Sequence, residues 1–288
     1  MGGRRRTQKA KGGARNAAET VSAAVAGPVE GEFEIDTGLA RLERDRYSST
    51  GWVLYVNGVP SSHVDLAEPA RLDFEYMRWI AALMRARFDP SGFGERKLRA
   101  LHLGGGACSM ARWVHATYEA RQVVVELDGR LAEYVRDWFD LPRAPLLRVR
   151  QGEAGAVLAS LTENTRDVVI RDVFAGDATP AALTGEATAR DADRVLDAGG
   201  VYIVNCGDGP DLANFRREAG VLRSVFAHVV AVADPAMFKG RRRGNVIIAC
   251  SQEPVVADAA AAGMRRELLG GGVPAAYWDE AKVGTFAG

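Results

Sequence analysis

Leu101-His102-Leu103-Gly104-Gly105-Gly106-Ala107-Cys108 follows an apolar segment and precedes a helical pattern. The next apolar run, Val123-Val124-Val125, ends on Glu126. A strand, a glycine turn, a helix and then an acid about 20 residues on is how an open α/β sheet grips a nucleoside. The glycines let backbone approach a ligand with no Cβ in the way. A carboxylate at Glu126 can accept both hydroxyls of a ribose. Gly104, Gly105, Gly106 and Glu126 are therefore expected to hold an adenosine-type group.

Around this stretch the chain alternates strand and helix. Strands are predicted at 99–103, 122–127, 146–150, 167–171 and 200–205. Met110, Trp113, Val114 and Tyr118 mark the first intervening helix; Leu131, Tyr134, Val135 and Trp138 mark the second. The alternation implies a parallel sheet with helices on both faces. It then changes. Ala227–Ala233 and Asn245–Ser251 are two strands joined by a link, Asp234–Gly244, too short for a crossover helix, which predicts an antiparallel pair at a sheet edge. Upstream, Trp52–Val56 runs into Asn57-Gly58, a hairpin signal, with a return strand from Ser61. A helix is predicted over 71–88, with Leu72, Tyr76, Trp79, Ile80 and Leu83 on its core face. The expected divisions are a disordered basic tail (1–30), a small β-hairpin domain (31–70), a nucleoside-binding domain (71–270) and a loose C-terminal tail (271–288).

The chain has 288 residues and no formal net charge, but residues 1–15 hold six Lys or Arg and no acid. The rest is mildly acidic, which gives no specific nucleic-acid signature. Three cysteines, Cys108, Cys206 and Cys250, are odd in number and widely spaced. They point to a reducing compartment and against a disulfide framework or a zinc site. No apolar run is long enough to span a membrane, and no secretory signal follows the basic start. The expectation is a cytoplasmic protein with no metal.

Gly104 and Gly106 fit a dinucleotide loop, but Ser109 stands where its third glycine belongs. The third strand ends at Gly152-Glu153. An acid there can meet an adenine amine or cap the following helix. The fourth strand, Asp167–Arg171, delivers Asp172 at its carboxyl end, where ligands bind in such sheets. Asp177 follows on the same loop. Two carboxylates suit an amine, which must lose its proton before it attacks; the alternative is that they fix the loop. Cys108, at a helix start, is either a nucleophile or a small filler. His63 lies near the expected cleft mouth, and His102 inside a strand. Asn205 and Asp208 end the fifth strand. Arg241-Arg242-Arg243 are either solvated or poised to attract an anion.

These elements resemble the spermidine synthase (polyamine aminopropyltransferase) family over about residues 40–252. Leu54-Tyr55-Val56-Asn57-Gly58-Val59-Pro60-Ser61 looks like the family's L-D-G-x-x-Q segment, Gly104–Ala107 like its G-G-G-D loop, Gly152-Glu153-Ala154 like its G-D-G segment. Asp172 stands at the first acid of its D-S-S-D-P. The resemblance implies an S-adenosylmethionine-methyltransferase-like Rossmann sheet with a terminal antiparallel hairpin, preceded by a small N-terminal β-hairpin domain that lies as a lid over the acceptor site. It implies an S-adenosyl donor, S-adenosylmethionine or its decarboxylated form, a small amine acceptor, and a homodimer or homotetramer. Glu126 would hold the ribose, Glu153 the adenine, and Asp172 and Asp177 the amine. Four positions depart from the pattern, and Asp172-Val173-Phe174-Ala175-Gly176-Asp177 runs two residues longer between its acids than D-S-S-D-P. Ser61 replaces the glutamine, Ala107 replaces the aspartate of G-G-G-D, and Phe74 replaces a tyrosine, with Tyr76 at the neighbouring glutamate. A small-molecule methyltransferase and a non-catalytic nucleoside-binding or interaction protein are the alternatives.

Overall fold

The computed structural model describes residues 27–176 and 178–288. Most of the expected basic tail, and the candidate Asp177, lie outside the described residues.

Four strands, β1 (Gly31–Ile35), β2 (Gly38–Arg44), β3 (Gly51–Val56) and β4 (Val59–Asp65), form an antiparallel meander in chain order. Asn57 and Gly58 join β3 to β4 with φ of 51° and 81°. Both central residues of a type I′ turn need positive φ, and Asn-Gly supplies it with least strain.

The chain then runs α1 (Glu75–Arg87), β5 (Arg99–Leu103), α2 (Ser109–Tyr118), β6 (Arg121–Glu126), α3 (Gly129–Trp138), β7 (Leu147–Gln151) and α4 (Ala154–Ala159). It continues as β8 (Arg166–Arg171), α5 (Glu186–Val195), β9 (Leu196–Asp208), α6 (Ala213–Val225), β10 (His228–Ala233) and α7 (Pro235–Phe238). The last elements are β11 (Gly244–Ser251), α8 (Asp258–Gly270), β12 (Ala276–Trp278) and α9 (Glu280–Ala287). The second sheet has eight strands in the order β12-β10-β11-β9-β8-β5-β6-β7. Strands β5 to β9 pair in parallel; β11 runs antiparallel to β9 and β10, and β12 antiparallel to β10. The central strands read as near-continuous apolar runs, such as Val168-Val169-Ile170, because helices cover both faces. From β5 the chain builds outward through β6 and β7, then returns to add β8 on the other side. The switch point therefore lies between β5 and β8, and a ligand crevice opens there beyond the carboxyl ends.

The N-terminal meander shares a core with the larger sheet. Ile35, Leu42, Trp52 and Leu54 pack with Ala107, Leu131, Val135 and Phe139. Its β1–β2 turn docks on the start of α3: Asp128 Oδ2 accepts from Thr37 N and Oγ1 at 2.7 and 2.8 Å, and Asp36 Oδ2 from Gly129 N at 2.9 Å.

Two expectations need correction. The stretch 271–288, expected to be loose, forms β12 and α9. The Gly270-Gly271-Gly272 run hides the periodicity, but aromatic packing orders the residues beyond it. Trp278 stacks on Phe238 at 4.0 Å between centroids, and Phe286 on Phe215 at 5.1 Å. The link Asp234–Gly244 holds one helical turn, α7, because Asp234 caps it through Ala236 N and Pro235 sits at its first position.

Candidate functional site

The carboxyl ends of β5 and β8 meet at Gly104. Asp172 N donates to Leu103 O at 2.8 Å, and Gly104 N to Val125 O at 2.9 Å. Gly104 has φ of 91°, and a Cβ there would overlap the Asp172 carbonyl, lying 2.9 Å from its carbon. Only a residue without a side chain lets the two strand ends come together this closely. A Cβ on Gly105 would lie 2.9 Å from Val124 Cγ1. One on Gly106 (φ 47°) would lie 2.6 Å from Ser62 Oγ, so β4 presses directly on the loop. Ser62 Oγ also accepts from Ala107 N at 3.0 Å, and Ser109 Oγ donates to His63 O at 2.6 Å. The expected lid over the acceptor side is thus seated on the glycine loop and on the start of α3.

Glu126 faces this loop. Its Oε2 accepts from Gly105 N and Gly106 N at 3.0 and 3.2 Å, and its Oε1 from Asp128 N at 3.1 Å. Gly152 N donates to Glu126 O at 2.9 Å, bringing the ends of β6 and β7 to the same crevice. Glu153 caps α4: its carboxylate accepts from Gly155 N and Ala156 N at 2.9 and 2.7 Å. Of the two readings of this residue, helix capping is the one its contacts display.

Asp172 stands at the end of β8, and two side chains converge on it. Tyr76 Oη donates to Oδ2 at 2.9 Å, and Asn205 Nδ2 to Oδ1 at 2.9 Å. Burial raises the Asp172 carboxyl above its ordinary value, against the opposing pull of the Asn205 and Tyr76 hydrogen bonds. Burial and the Asp172 charge push the Tyr76 phenol well up, so it stays a donor. Asn205 is 1% exposed, and its Oδ1 has no partner among the described residues. An orphaned buried acceptor of this kind costs about 1–3 kcal/mol until a donor reaches it. Beneath the site, the buried Arg171 pairs with Glu218 and donates to Leu183 O at 2.7 Å and to Asn205 O at 3.4 Å.

Tyr76 packs against the core as its helical spacing predicts, but its hydroxyl's reach to Asp172 is what sequence reasoning missed. Its position on α1 matches the helical apolar spacing, so it reads as core. The end of α1 that carries it overhangs β8, which local periodicity cannot express. Arg171 and Glu218 were also missed, one reading as an interruption of a strand and the other as an ordinary polar helix residue.

The remaining candidates have other roles. Cys108 is 3% exposed and burial pushes its thiol up to about 12, so it is a filler and not a nucleophile. His102 is pushed down to about 4 by burial and bonds Gln122 Oε1 at 2.8 Å. His63 is buried against two acids, with Nε2 3.0 Å from Asp45 Oδ2 and 3.4 Å from Asp73 Oδ2. Arg71 lies beside the same acids, 2.9 Å from Asp73 and 3.9 Å from Asp45, and 3.4 Å from Asp65. Asp208 accepts from Phe215 N, in the first turn of α6, at 2.6 Å. Arg242 pairs with Asp234 at 2.8 Å and, with Glu75, Trp79 and Asn245, lines a small cavity of about 50 Å³. Arg241, Arg242 and Arg243 are all exposed. Among the described residues no helix is long and apolar enough to cross a membrane.

No family model matches the chain. Two curated relatives, the polyamine aminopropyltransferases of Neisseria meningitidis serogroups A and B, are 27% identical over 168 residues; the match spans 57% of this chain and 60% of their length. A spermidine synthase solved in complex with the transition-state analogue AdoDATO is 14% identical, with a TM-score of 0.58 over 89% of this chain and 83% of that one, and shares the fold. The crystal structure of a probable spermidine synthase from Corynebacterium glutamicum superposes with a TM-score of 0.85 at 46% identity, covering 90% of this chain and 94% of that one. At that identity and over nearly the whole of both chains, this protein belongs to the spermidine synthase family.

Proposed function

We propose that the chain transfers an aminopropyl group from an S-adenosyl donor, decarboxylated S-adenosylmethionine, to a small amine. The observation that carries this reading is the convergence of Tyr76 and Asn205 on Asp172, directly beside Gly104, where β5 and β8 part. The donor lies along the crevice. Gly104, Gly105 and Gly106 give it backbone to rest on. Glu126 keeps free lone pairs beyond its three amide bonds, enough to take the ribose hydroxyls. Gly152 and Glu153 border the adenine end, where the capping carboxylate still has capacity for an amine hydrogen.

The acceptor reaches Asp172. An alkylammonium titrates near the lysine range, roughly 10, and must shed a proton first. Asp172 takes that proton, and its raised pKa makes it a better base than an ordinary carboxylate. Asn205 Oδ1 accepts an N–H of the same nitrogen, which satisfies the orphaned oxygen. The nitrogen lone pair then forms a bond to the methylene carbon on the sulfonium, the C–S bond breaks, and a neutral thioether leaves. Holding the two partners in line is the larger part of the work.

Ala107, at the loop position where the family carries an acid, is fully buried and packed under the meander. The donor's terminal amine therefore finds its counter-charge elsewhere. Thermal shift with decarboxylated S-adenosylmethionine, intact S-adenosylmethionine and methylthioadenosine tests the proposal. The decarboxylated form is expected to give the largest shift, and Glu126→Ala to abolish it. A larger shift with the intact donor would turn the reading to methyl transfer, and no shift with any would end it.

A further inference from the structure

We propose that a second cavity, between α1, α2 and α8, is a binding site for a small amphipathic carboxylate. Its volume is about 410 Å³, inside the roughly 300–1,000 Å³ range of small-molecule sites. Leu72, Trp79, Trp113, Leu268 and Val273 give it an apolar wall. Trp79 and Trp113 are only 4% and 2% exposed. Trp79 also lines the small cavity beside Glu75 and Asn245, so the two spaces share one wall.

Charge sets the ligand's sign. Arg85 directs its Nε and Nη2 to Glu267 across the rim and lies over the Trp113 ring at 5.2 Å. That ion pair is neutral as a unit. Arg78 is different. Only its Nη1 is engaged, donating to Leu72 O at 3.1 Å and Asp73 O at 2.5 Å, and no carboxylate pairs with it among the described residues. Its Nε lies 3.9 Å from where a Cβ on Gly271 would stand, at the cavity wall. An apolar space carrying one uncompensated guanidinium fits a ring or short chain ending in a carboxylate. The chain's own N-terminal segment is disfavoured as occupant, because residues 1–15 carry six cations and no acid.

The test is titration calorimetry on the full chain with 2-naphthoate and with its uncharged analogue 2-naphthamide. The expected result is saturable one-to-one binding of the carboxylate, at least tenfold tighter than the amide. Arg78→Gln should erase that difference. Gly271→Phe should abolish binding of both. Its backbone has ordinary dihedrals, and an added Cβ meets nothing nearer than 3.7 Å, so the fold should tolerate the change. Glu126→Ala should leave naphthoate binding intact, which separates this site from the donor crevice. The proposal is overturned by absence of saturable binding at millimolar ligand, by equal affinity for the two compounds, or by binding that survives Gly271→Phe. One naphthoate per two chains, with dimers in gel filtration, would assign the face to self-association and also overturn it.

Discussion

Gly104→Ala should damage this protein more than its single methyl group suggests, and a matched control shows why. Gly58 and Gly104 have similar backbones, with φ of 81° and 91°. Either alanine holds an L side chain at positive φ, which costs about 1–2 kcal/mol. At Gly58 an added Cβ meets nothing within 4 Å. At Gly104 it overlaps the Asp172 carbonyl and lies 3.3 Å from Val173 Cγ2. The obstacle is backbone, fixed by the Asp172 N–Leu103 O hydrogen bond, so it cannot swing aside. Overpacking of this sort costs a further ~1–3 kcal/mol. For a chain of this size 1 kcal/mol is about 2–4 °C in Tm, so Gly104→Ala should melt about 2–12 °C below Gly58→Ala. Relief requires the β5 and β8 ends to part, which also moves Asp172 off Tyr76 and Asn205. Differential scanning calorimetry of both variants measures the stability difference, and donor thermal shift measures the loss of the crevice. Equal melting temperatures for the two would refute the claim that close approach, and not chain flexibility, demands the glycine.

Tyr76→Phe removes a donor that favours the Asp172 carboxylate, so the Asp172 pKa should rise further; the acid limb of the pH–rate profile should move to higher pH with kcat down at least about tenfold, and an unmoved limb would exclude the pairing from the chemistry. Glu218→Gln strips the buried Arg171 of its counter-charge and should cost about 3–5 kcal/mol in urea denaturation; a loss under about 1 kcal/mol would contradict a desolvated pair. His102, held near 4 in the fold against 6.5 unfolded, is a depressed histidine. Its contribution to stability is complete above pH 6.5 and is lost as pH falls towards 4, worth about 3 kcal/mol. His102→Asn should flatten that part of the stability profile, and an unchanged slope would place the acid sensitivity elsewhere.

What could be read in the sequence is what neighbours along the chain decide. The glycine loop, Glu126 and Asp172 all sit at strand ends, and strand ends are legible from apolar runs and the turns that stop them. The antiparallel edge was legible because Asp234–Gly244 is too short to carry a crossover. The C-terminal stretch 271–288 was not, since what orders it is an aromatic cluster drawn from Phe215, Phe238, Trp278 and Phe286, residues far apart in sequence. Glu153 stands between two roles in the sequence because capping and adenine contact ask for the same residue at the same place; only the distances to Gly155 N and Ala156 N display one of them.

Tyr76 shows the limit most clearly. Periodicity assigns a residue to a helix face, and α1 does bury the face that carries Met77, Ile80 and Met84. A phenol on the border of that face looks no different from a core aromatic. Its role appears only once β8 brings Asp172, 96 residues later in the chain, within 2.9 Å of the hydroxyl. Phe74, two residues earlier, takes the place where the family carries its tyrosine, and its ring lies 6.0 Å from that of Tyr76. Tyr76 itself stands at the neighbouring glutamate position of that motif, and its hydroxyl meets the Asp172 carboxylate. A family motif scored position by position counts two losses here. The geometry at Asp172 shows a hydrogen bond that such a comparison does not count.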